Sequence, residues 1–326
     1  MNAIPVTVIT GFLGSGKTTL INRLLREQHG QRLAVIENEF GAVGIDADIL
    51  AVEHEETVIE LDNGCICCTV RGDLAKALDQ LAQRAERGEI RFDRVVIETT
   101  GIADPGPIIQ TFLAETTLLT KFYLDGICTL VDTVHLRGQL DRPEVKCQIA
   151  LADRIVFTKT DLADAAQVRE VRALVAAMNP RASIDAFALH DADIGRLVDQ
   201  LFEARAYQFD TMKLAPPVSS HAMPERHTTD VSTFTFESEQ ALDPARLDQC
   251  LLAIQQRYGS RLWRYKGLLQ MAGCRQRVIL QGVQGLLQMN FGTIWRPYEA
   301  RRSVIVFIGQ SLDQLSITMA LGACRT

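Results

Sequence analysis

The chain has 326 residues, with 34 lysines and arginines against 40 aspartates and glutamates and a formal net charge of -6. That length suits about two domains of ordinary size, and charges of mixed sign with no basic face exclude nucleic acid as a partner. No run reaches the roughly 18 consecutive apolar residues of a membrane helix, and Ile4 to Ile9 lacks the cationic lead of a secretory signal, so a cytoplasmic protein without a membrane partner is expected.

The first predicted strand, Val6 to Thr10, runs into Gly11-Phe12-Leu13-Gly14-Ser15-Gly16-Lys17-Thr18, and an amphipathic helix is predicted over Lys17 to Glu27. This is G-x-x-x-x-G-K-[ST] in its strand-to-helix context. Glycines let the backbone turn its N–H groups toward phosphate oxygens, and the helix start adds partial positive charge. Gly11, Gly14, Ser15, Gly16, Lys17, Thr18 and Thr19 are therefore the expected nucleotide cradle, with Lys17 on the β/γ-phosphates and Thr18 on Mg²⁺. A mere glycine turn before a helix would leave Lys17 and Thr18 without a reason.

A second strand, Arg32 to Glu37, opens the loop Glu37-Asn38-Glu39-Phe40-Gly41. Three of the eight cysteines then crowd into Gly64-Cys65-Ile66-Cys67-Cys68, too tightly for a disulfide framework in a chain this size. Thiolates at this spacing suit Zn²⁺, Cu⁺ or Co²⁺. A tetrahedral site wants further ligands, for which Glu37 and Glu39 are the candidates beside Cys65, Cys67 and Cys68. Two other readings stand: a thiol redox switch at Cys67 and Cys68, and simple packing for Cys65 and Cys128.

After a helix over Gly72 to Arg87, the strand Arg94 to Glu98 ends in a carboxylate followed by Thr99-Thr100-Gly101. A nucleotide site needs an acid near Mg²⁺ and a glycine N–H facing the γ-phosphate, which assigns Glu98 and Gly101. Helices over Pro107 to Leu119 and Pro143 to Ala152 alternate with strands Gly126 to Val131 and Arg154 to Phe157. Then comes Thr158-Lys159-Thr160-Asp161, close to the N-K-x-D guanine element, in which Asp161 would accept from guanine N1 and N2. Threonine at the first position removes one amide contact, and an aspartate here also suits a helix N-cap. A helix over Ala165 to Met178 and a strand over Ser183 to Phe187 complete the alternation of βαβ units, hence a doubly wound, mostly parallel sheet over residues 1–207.

Residues 208–230 are read as a linker, since Lys213 to Thr229 holds Pro216, Pro217 and Pro224 and no periodicity. His221 and His227 within it are read as solvated or, at most, transient metal contacts. From Val231 the order is strand (to Phe236), helix (Pro244 to Tyr258), strands (Leu262 to Met271, Arg277 to Val283, Val304 to Ile308) and helix (Leu312 to Leu321). Residues 231–326 thus read as a smaller α+β domain with an antiparallel sheet. Arg264-Tyr265-Lys266-Gly267 is taken as a basic surface strand.

Taken together, Thr10 to Thr19, Glu37 to Gly41, Asn63 to Cys68, Glu98 to Gly101 and Thr158 to Asp161 resemble the CobW-type metallochaperone GTPases, a family that includes zinc transferases and nitrile hydratase activators. The similarity spans nearly the whole chain. It implies a Mg²⁺-dependent GTPase converting GTP to GDP, a Cys-x-Cys-Cys site for a transition metal, and a C-terminal domain facing a client metalloprotein or cofactor-biosynthesis protein. Zinc is favoured over cobalt or iron, and homo-oligomerisation is left open. With no arginine finger assignable, turnover is expected at about 10⁻⁴ to 10⁻² per second. The competing function is a thiol-regulated GTPase switch without metal delivery; a small-molecule kinase is disfavoured by Asp161 and by the absence of a recognisable lid.

Overall fold

The computed structural model describes residues 3–26, 30–38, 57–60, 70–115, 118–186, 198, 201–202 and 230–326. The chain divides into two compact units, Met1–Ala173 with Ala182–Tyr207, and Leu174–Arg181 with Gln208–Thr326.

The first unit is built on strands β1 (Ile4–Gly11), β2 (Leu33–Asn38), β3 (Thr57–Glu60), β4 (Arg94–Thr99), β5 (Phe122–Asp132), β6 (Arg154–Thr158) and β7 (Ser183–Ala186), in the order β3-β2-β4-β1-β5-β6-β7. All six pairings are parallel. Between the strands lie helices α1 (Lys17–Arg26), α2 (Val70–Glu86), α3 (Gly106–Ala114), α4 (Leu136–Gln139), α5 (Pro143–Leu151) and α6 (Ala165–Met178). Parallel strands covered on both faces read as unbroken apolar runs, and β4 is buried along its whole length. Leu20, Ile21 and Leu24 sit on one face of α1 and pack with Ile9, Val35, Val96, Leu130 and Val156 of the sheet.

The chain moves outward from β1 to β2 and β3, returns to β4, and then crosses to β5 on the other flank. Reversal of strand order beside β1 makes the carboxyl ends of β1, β4 and β5 the place where an open α/β sheet binds its ligand. At the start of β4, Arg94 is 5% exposed and donates to Asp125 Oδ2 at 2.7 Å, Thr7 Oγ1 at 2.8 Å, the Phe202 carbonyl at 2.6 Å and Gln31 Oε1 at 3.2 Å. Its guanidinium also lies 4.5 Å from the Phe202 ring centroid. One side chain thus ties β1, β4 and β5 to the segment bearing Phe202.

The second unit carries β8 (Val231–Ser238), α7 (Pro244–Tyr258), β9 (Leu262–Leu269), β10 (Gln276–Val283), β11 (Leu286–Ile294), β12 (Ser303–Gln310) and α8 (Gln314–Gly322), its sheet ordered β11-β10-β9-β12-β8 and antiparallel throughout. Both helices start as their sequences dictate: Asp243 Oδ1 accepts from Arg246 N at 2.9 Å, and Asp313 Oδ1 from Ser316 N at 3.0 Å. Phe234 and Tyr265 stack on either side of Phe307, with centroids 5.3 and 5.8 Å away, inside a core that includes Leu247, Leu251 and Ile317.

Three departures from the sequence reading have physical causes. Thr57–Glu60 adds a seventh strand, too short to show a period. β11 follows β10 through the two-residue turn Gln284–Gly285, whose φ values of 46° and 96° are the positive pair of a hairpin turn; glutamine is not the usual first residue there, so the signal is weak. Arg264 and Lys266 are not surface groups: they are 5% and 9% exposed, on a sheet whose β12 is buried on both faces from Val304 to Ile308.

Candidate functional site

β1 delivers Gly11 to the rim of the sheet, and residues 11–16 loop into α1. Gly11, Gly14 and Gly16 take φ values of 145°, 74° and 95°, conformations that side chains resist. At Gly11 space also forbids substitution, since a Cβ there would lie 2.4 Å from the Leu130 carbonyl oxygen and 2.7 Å from Ser15 Oγ. Lys17 Nζ turns back over the loop to donate to the carbonyls of Gly11 at 2.9 Å and Phe12 at 3.4 Å, its side chain nearly buried at 8% exposure. Ser15 is buried and its Oγ has no hydrogen-bond partner among the described residues. A buried hydroxyl without a partner, beside an ammonium and a helix start, is what an anion would satisfy.

Thr18 Oγ1 donates to Glu98 Oε1 at 2.9 Å. These two hard oxygens, one from the first turn of α1 and one from the end of β4, form a donor pair suited to Mg²⁺. Glu98 is 9% exposed, so it is not an ordinary solvated strand-end acid. Next to it, Thr99 Oγ1 donates to Thr10 Oγ1 at 2.8 Å, fastening β4 to β1 at the rim. Gly101 abuts the cradle: a Cβ there would stand 2.6 Å from Leu13 N and 2.8 Å from Leu13 Cα. Only a residue without a side chain can bring this turn so close to the loop.

β6 brings Thr158-Lys159-Thr160-Asp161 to the same rim. Thr158 Oγ1 reaches the Ser15 carbonyl at 2.9 Å and lies 3.3 Å from that of Val131, so the threonine standing where an asparagine was expected still fastens this segment to the phosphate loop. Lys159 sits at φ 56° and ψ 32°, a left-handed conformation uncommon for a residue with a side chain. That kink starts the single 3₁₀ turn Thr160–Leu162 and leaves Asp161 exposed. Lys159 Nζ is held by Asp132 Oδ2 at 2.6 Å.

Sequence reasoning missed Asp132. It ends β5 almost fully buried, its Oδ1 accepting from the backbone N–H groups of Val134 and His135 at 3.0 and 3.1 Å and its Oδ2 from Lys159 and from His135 Nδ1 at 2.9 Å. Burial pushes its pKa up, but the Lys159 and His135 hydrogen bonds outweigh burial and hold the carboxyl below its ordinary value. The signal was an acid ending an apolar strand, the same pattern that marked Glu98.

Among the proposed metal ligands, Glu39, Cys65, Cys67 and Cys68 lie outside the described residues, as do His221 and His227. Glu37 is placed by its backbone: in the β2–β4 ladder it stands in register with Glu98. Cys128 is a packing residue, 2% exposed, its thiol pushed up to about 12 by burial. No group of three or more metal-ligating side chains occurs among the described residues, and no described helix is long and apolar enough to cross a membrane.

Comparison with known proteins agrees with this architecture. Residues 5–185 match the family model described as CobW/HypB/UreG, nucleotide-binding domain, and residues 231–325 match the cobalamin synthesis protein cobW C-terminal domain. The chain is 38% identical to the zinc chaperone YjiA of Escherichia coli strain K12, over 100% of both chains. It is 30% identical to the zinc chaperone CobW of a Sinorhizobium species, over 98% of this chain and 97% of that one. The crystal structure of Zn(II)-bound YjiA GTPase from E. coli superposes with a TM-score of 0.80 at 34% identity, covering 100% of each chain.

Proposed function

The chain belongs to the CobW/HypB/UreG family, and from that premise we propose that it is a Mg²⁺-dependent GTPase that carries a transition metal and hands it to a client metalloprotein or cofactor-biosynthesis protein. The observation that carries the reading is the convergence of Lys17, the Thr18–Glu98 pair, Gly101 and the Thr158–Asp161 segment on one rim of the sheet.

In this reading Lys17 leaves the loop carbonyls to pair with the β- and γ-phosphates, and Ser15 Oγ gains the partner it lacks. Thr18 and Glu98 would hold Mg²⁺, which when bound would offset negative charge on the phosphates. The N–H of Gly101 faces the γ-phosphate and distinguishes GTP from GDP. Asp161, exposed at the turn after Lys159, accepts from guanine N1 and N2. Electrostatic positioning is the main catalytic device, and with no arginine finger assignable from the sequence intrinsic turnover is slow.

Zinc is the favoured cargo, since relatives at 38% and 30% identity are named zinc chaperones; cobalt and iron are the lesser alternatives. Cys65, Cys67 and Cys68 with Glu37 and Glu39 form the metal set. The β2–β4 register supports coupling of the two sites, because the strand that leads into the Glu37–Gly41 loop runs directly beside the strand that ends in Glu98. A γ-phosphate that reorders this loop changes metal affinity by the same factor by which metal changes nucleotide affinity.

The test is anaerobic zinc titration of the reduced protein with GDP and with a non-hydrolysable GTP analogue, in wild type and Cys67→Ala. The expected result is nucleotide-dependent affinity that the variant loses. Equal affinity in both nucleotide states refutes the coupling, and binding that no cysteine influences leaves the thiol-regulated switch as the better account.

A further inference from the structure

The turn that presents Gly101 is held from behind by a side chain on α5. Gln148 is 1% exposed, and its Nε2 donates to the carbonyls of Gly101 at 3.2 Å and Ala103 at 3.0 Å. Its own backbone carbonyl accepts from Thr129 Oγ1 of β5 at 2.8 Å, which fixes this part of α5 to the sheet. The neighbouring Cys147 Sγ donates to Asp104 Oδ1 at 3.3 Å, and the same oxygen accepts from Gly106 N at 2.7 Å where α3 begins. Residues 101–104 are therefore gripped by two consecutive side chains of α5 while Gly101 presses on Leu13 of the cradle.

We propose that Gln148 is a positioning residue for nucleotide-state recognition: its amide holds the Gly101 turn against the phosphate loop, so that the Gly101 N–H is aimed before a γ-phosphate arrives. The inference rests on the reading of Gly101 as the γ-phosphate sensor. An amide is the side chain the job requires, because two carbonyl oxygens must be satisfied by one nitrogen with two hydrogens and no charge. A glutamate would set acceptor against acceptor, and a lysine would bury a charge. Holding the turn in advance removes an ordering cost from the binding step, and the benefit reaches only nucleotides that carry a γ-phosphate.

The experiment measures binding of GDP and of guanosine β,γ-imidotriphosphate, with melting temperature and steady-state GTP hydrolysis, in wild type, Gln148→Met, Thr129→Val and Gly101→Ala. Methionine keeps the length of glutamine but donates nothing. Gln148→Met is expected to weaken the analogue on the order of tenfold, about the net contribution of one or two buried hydrogen bonds, while GDP binding changes less than twofold. Thr129→Val, which loosens the same helix without touching the amide, is expected to lower the melting temperature and leave the ratio of the two affinities at its wild-type value. Proportional loss of GDP and analogue binding in Gln148→Met makes the residue merely structural and overturns the proposal, as does an unchanged ratio or tighter analogue binding. Gly101→Ala separates the premise: if its ratio equals that of wild type, Gly101 is not the sensor and the inference falls with it, whereas a changed ratio there beside an unchanged one in Gln148→Met refutes the role of Gln148 alone.

Discussion

Arg94 offers a quantitative test of how the nucleotide unit is held together. Replacing it with methionine keeps much of the aliphatic bulk but takes the guanidinium from Asp125, whose side chain is 1% exposed, and removes the donors serving Thr7 and the Phe202 carbonyl. Breaking a buried pair by removing one partner costs about 3–5 kcal/mol, and the ring contact with Phe202 adds to the loss. A unit of this size loses roughly 2–4 °C of melting temperature per kcal/mol, so Arg94→Met is expected to melt about 6–20 °C lower, followed by circular dichroism without nucleotide. Removing both charges in Arg94→Met with Asp125→Leu is expected to recover at least half of that loss, because the double variant takes the buried carboxylate away together with its Arg94 partner. A single variant within about 1 kcal/mol of wild type, or a double variant equal to the sum of its singles, refutes this reasoning.

Three further outcomes follow from the site. Thr18→Val is expected to lower GTP turnover on the order of a hundredfold and to flatten its dependence on Mg²⁺, read by phosphate release across a magnesium titration; an unchanged magnesium profile removes Thr18 from the ion. Asp161→Ala is expected to weaken GDP by roughly 10- to 100-fold, the range for hydrogen bonds to a charged group, with discrimination against ADP lost in parallel. Lys159→Met removes the strongest of the hydrogen bonds that hold the Asp132 carboxyl below its ordinary value of 3.8. A depressed carboxyl contributes stability that is complete above its unfolded pKa and lost as pH falls through the folded one. The variant is therefore expected to unfold at a higher pH than wild type on acid titration, and coincident acid transitions would contradict that assignment.

Much of the architecture was legible because local pattern and global fold agree. The strand, glycine loop and helix around Lys17 each carry their own signal, and the apolar runs of β1, β4 and β5 belong to a sheet covered on both faces. What escaped notice depends on contacts distant in sequence. Asp132 becomes part of the site only because β6 brings Lys159 beside it, and Gln148 looks like one more polar residue on a helix until α5 is laid against the Gly101 turn. Arg264 and Lys266 alternate with Trp263 and Tyr265 as exposed residues would; the apolar run Val304 to Ile308 on the neighbouring strand was the contrary sign that both faces are buried at the centre of that sheet. Glu37 could be placed by its strand, whereas the cysteine segment was legible only by its chemistry.

The hydroxyl of Thr158 bears on fidelity. It connects the stretch proposed to read the base to the carbonyl of Ser15 in the stretch proposed to cradle phosphate, so in that reading the two ends of a nucleotide are not inspected independently. In the proposed reading, a purine that misfits beside Asp161 would disturb Thr158, and through it the loop assigned to the phosphates. An incorrect nucleotide would then be penalised twice, once in how tightly it is held and again in how fast it is cleaved, so that discrimination in kcat/KM exceeds discrimination in binding. Thr158→Val would uncouple the two judgements, leaving an enzyme that still prefers guanine at the binding step but cleaves the wrong nucleotides it does accept with less reluctance.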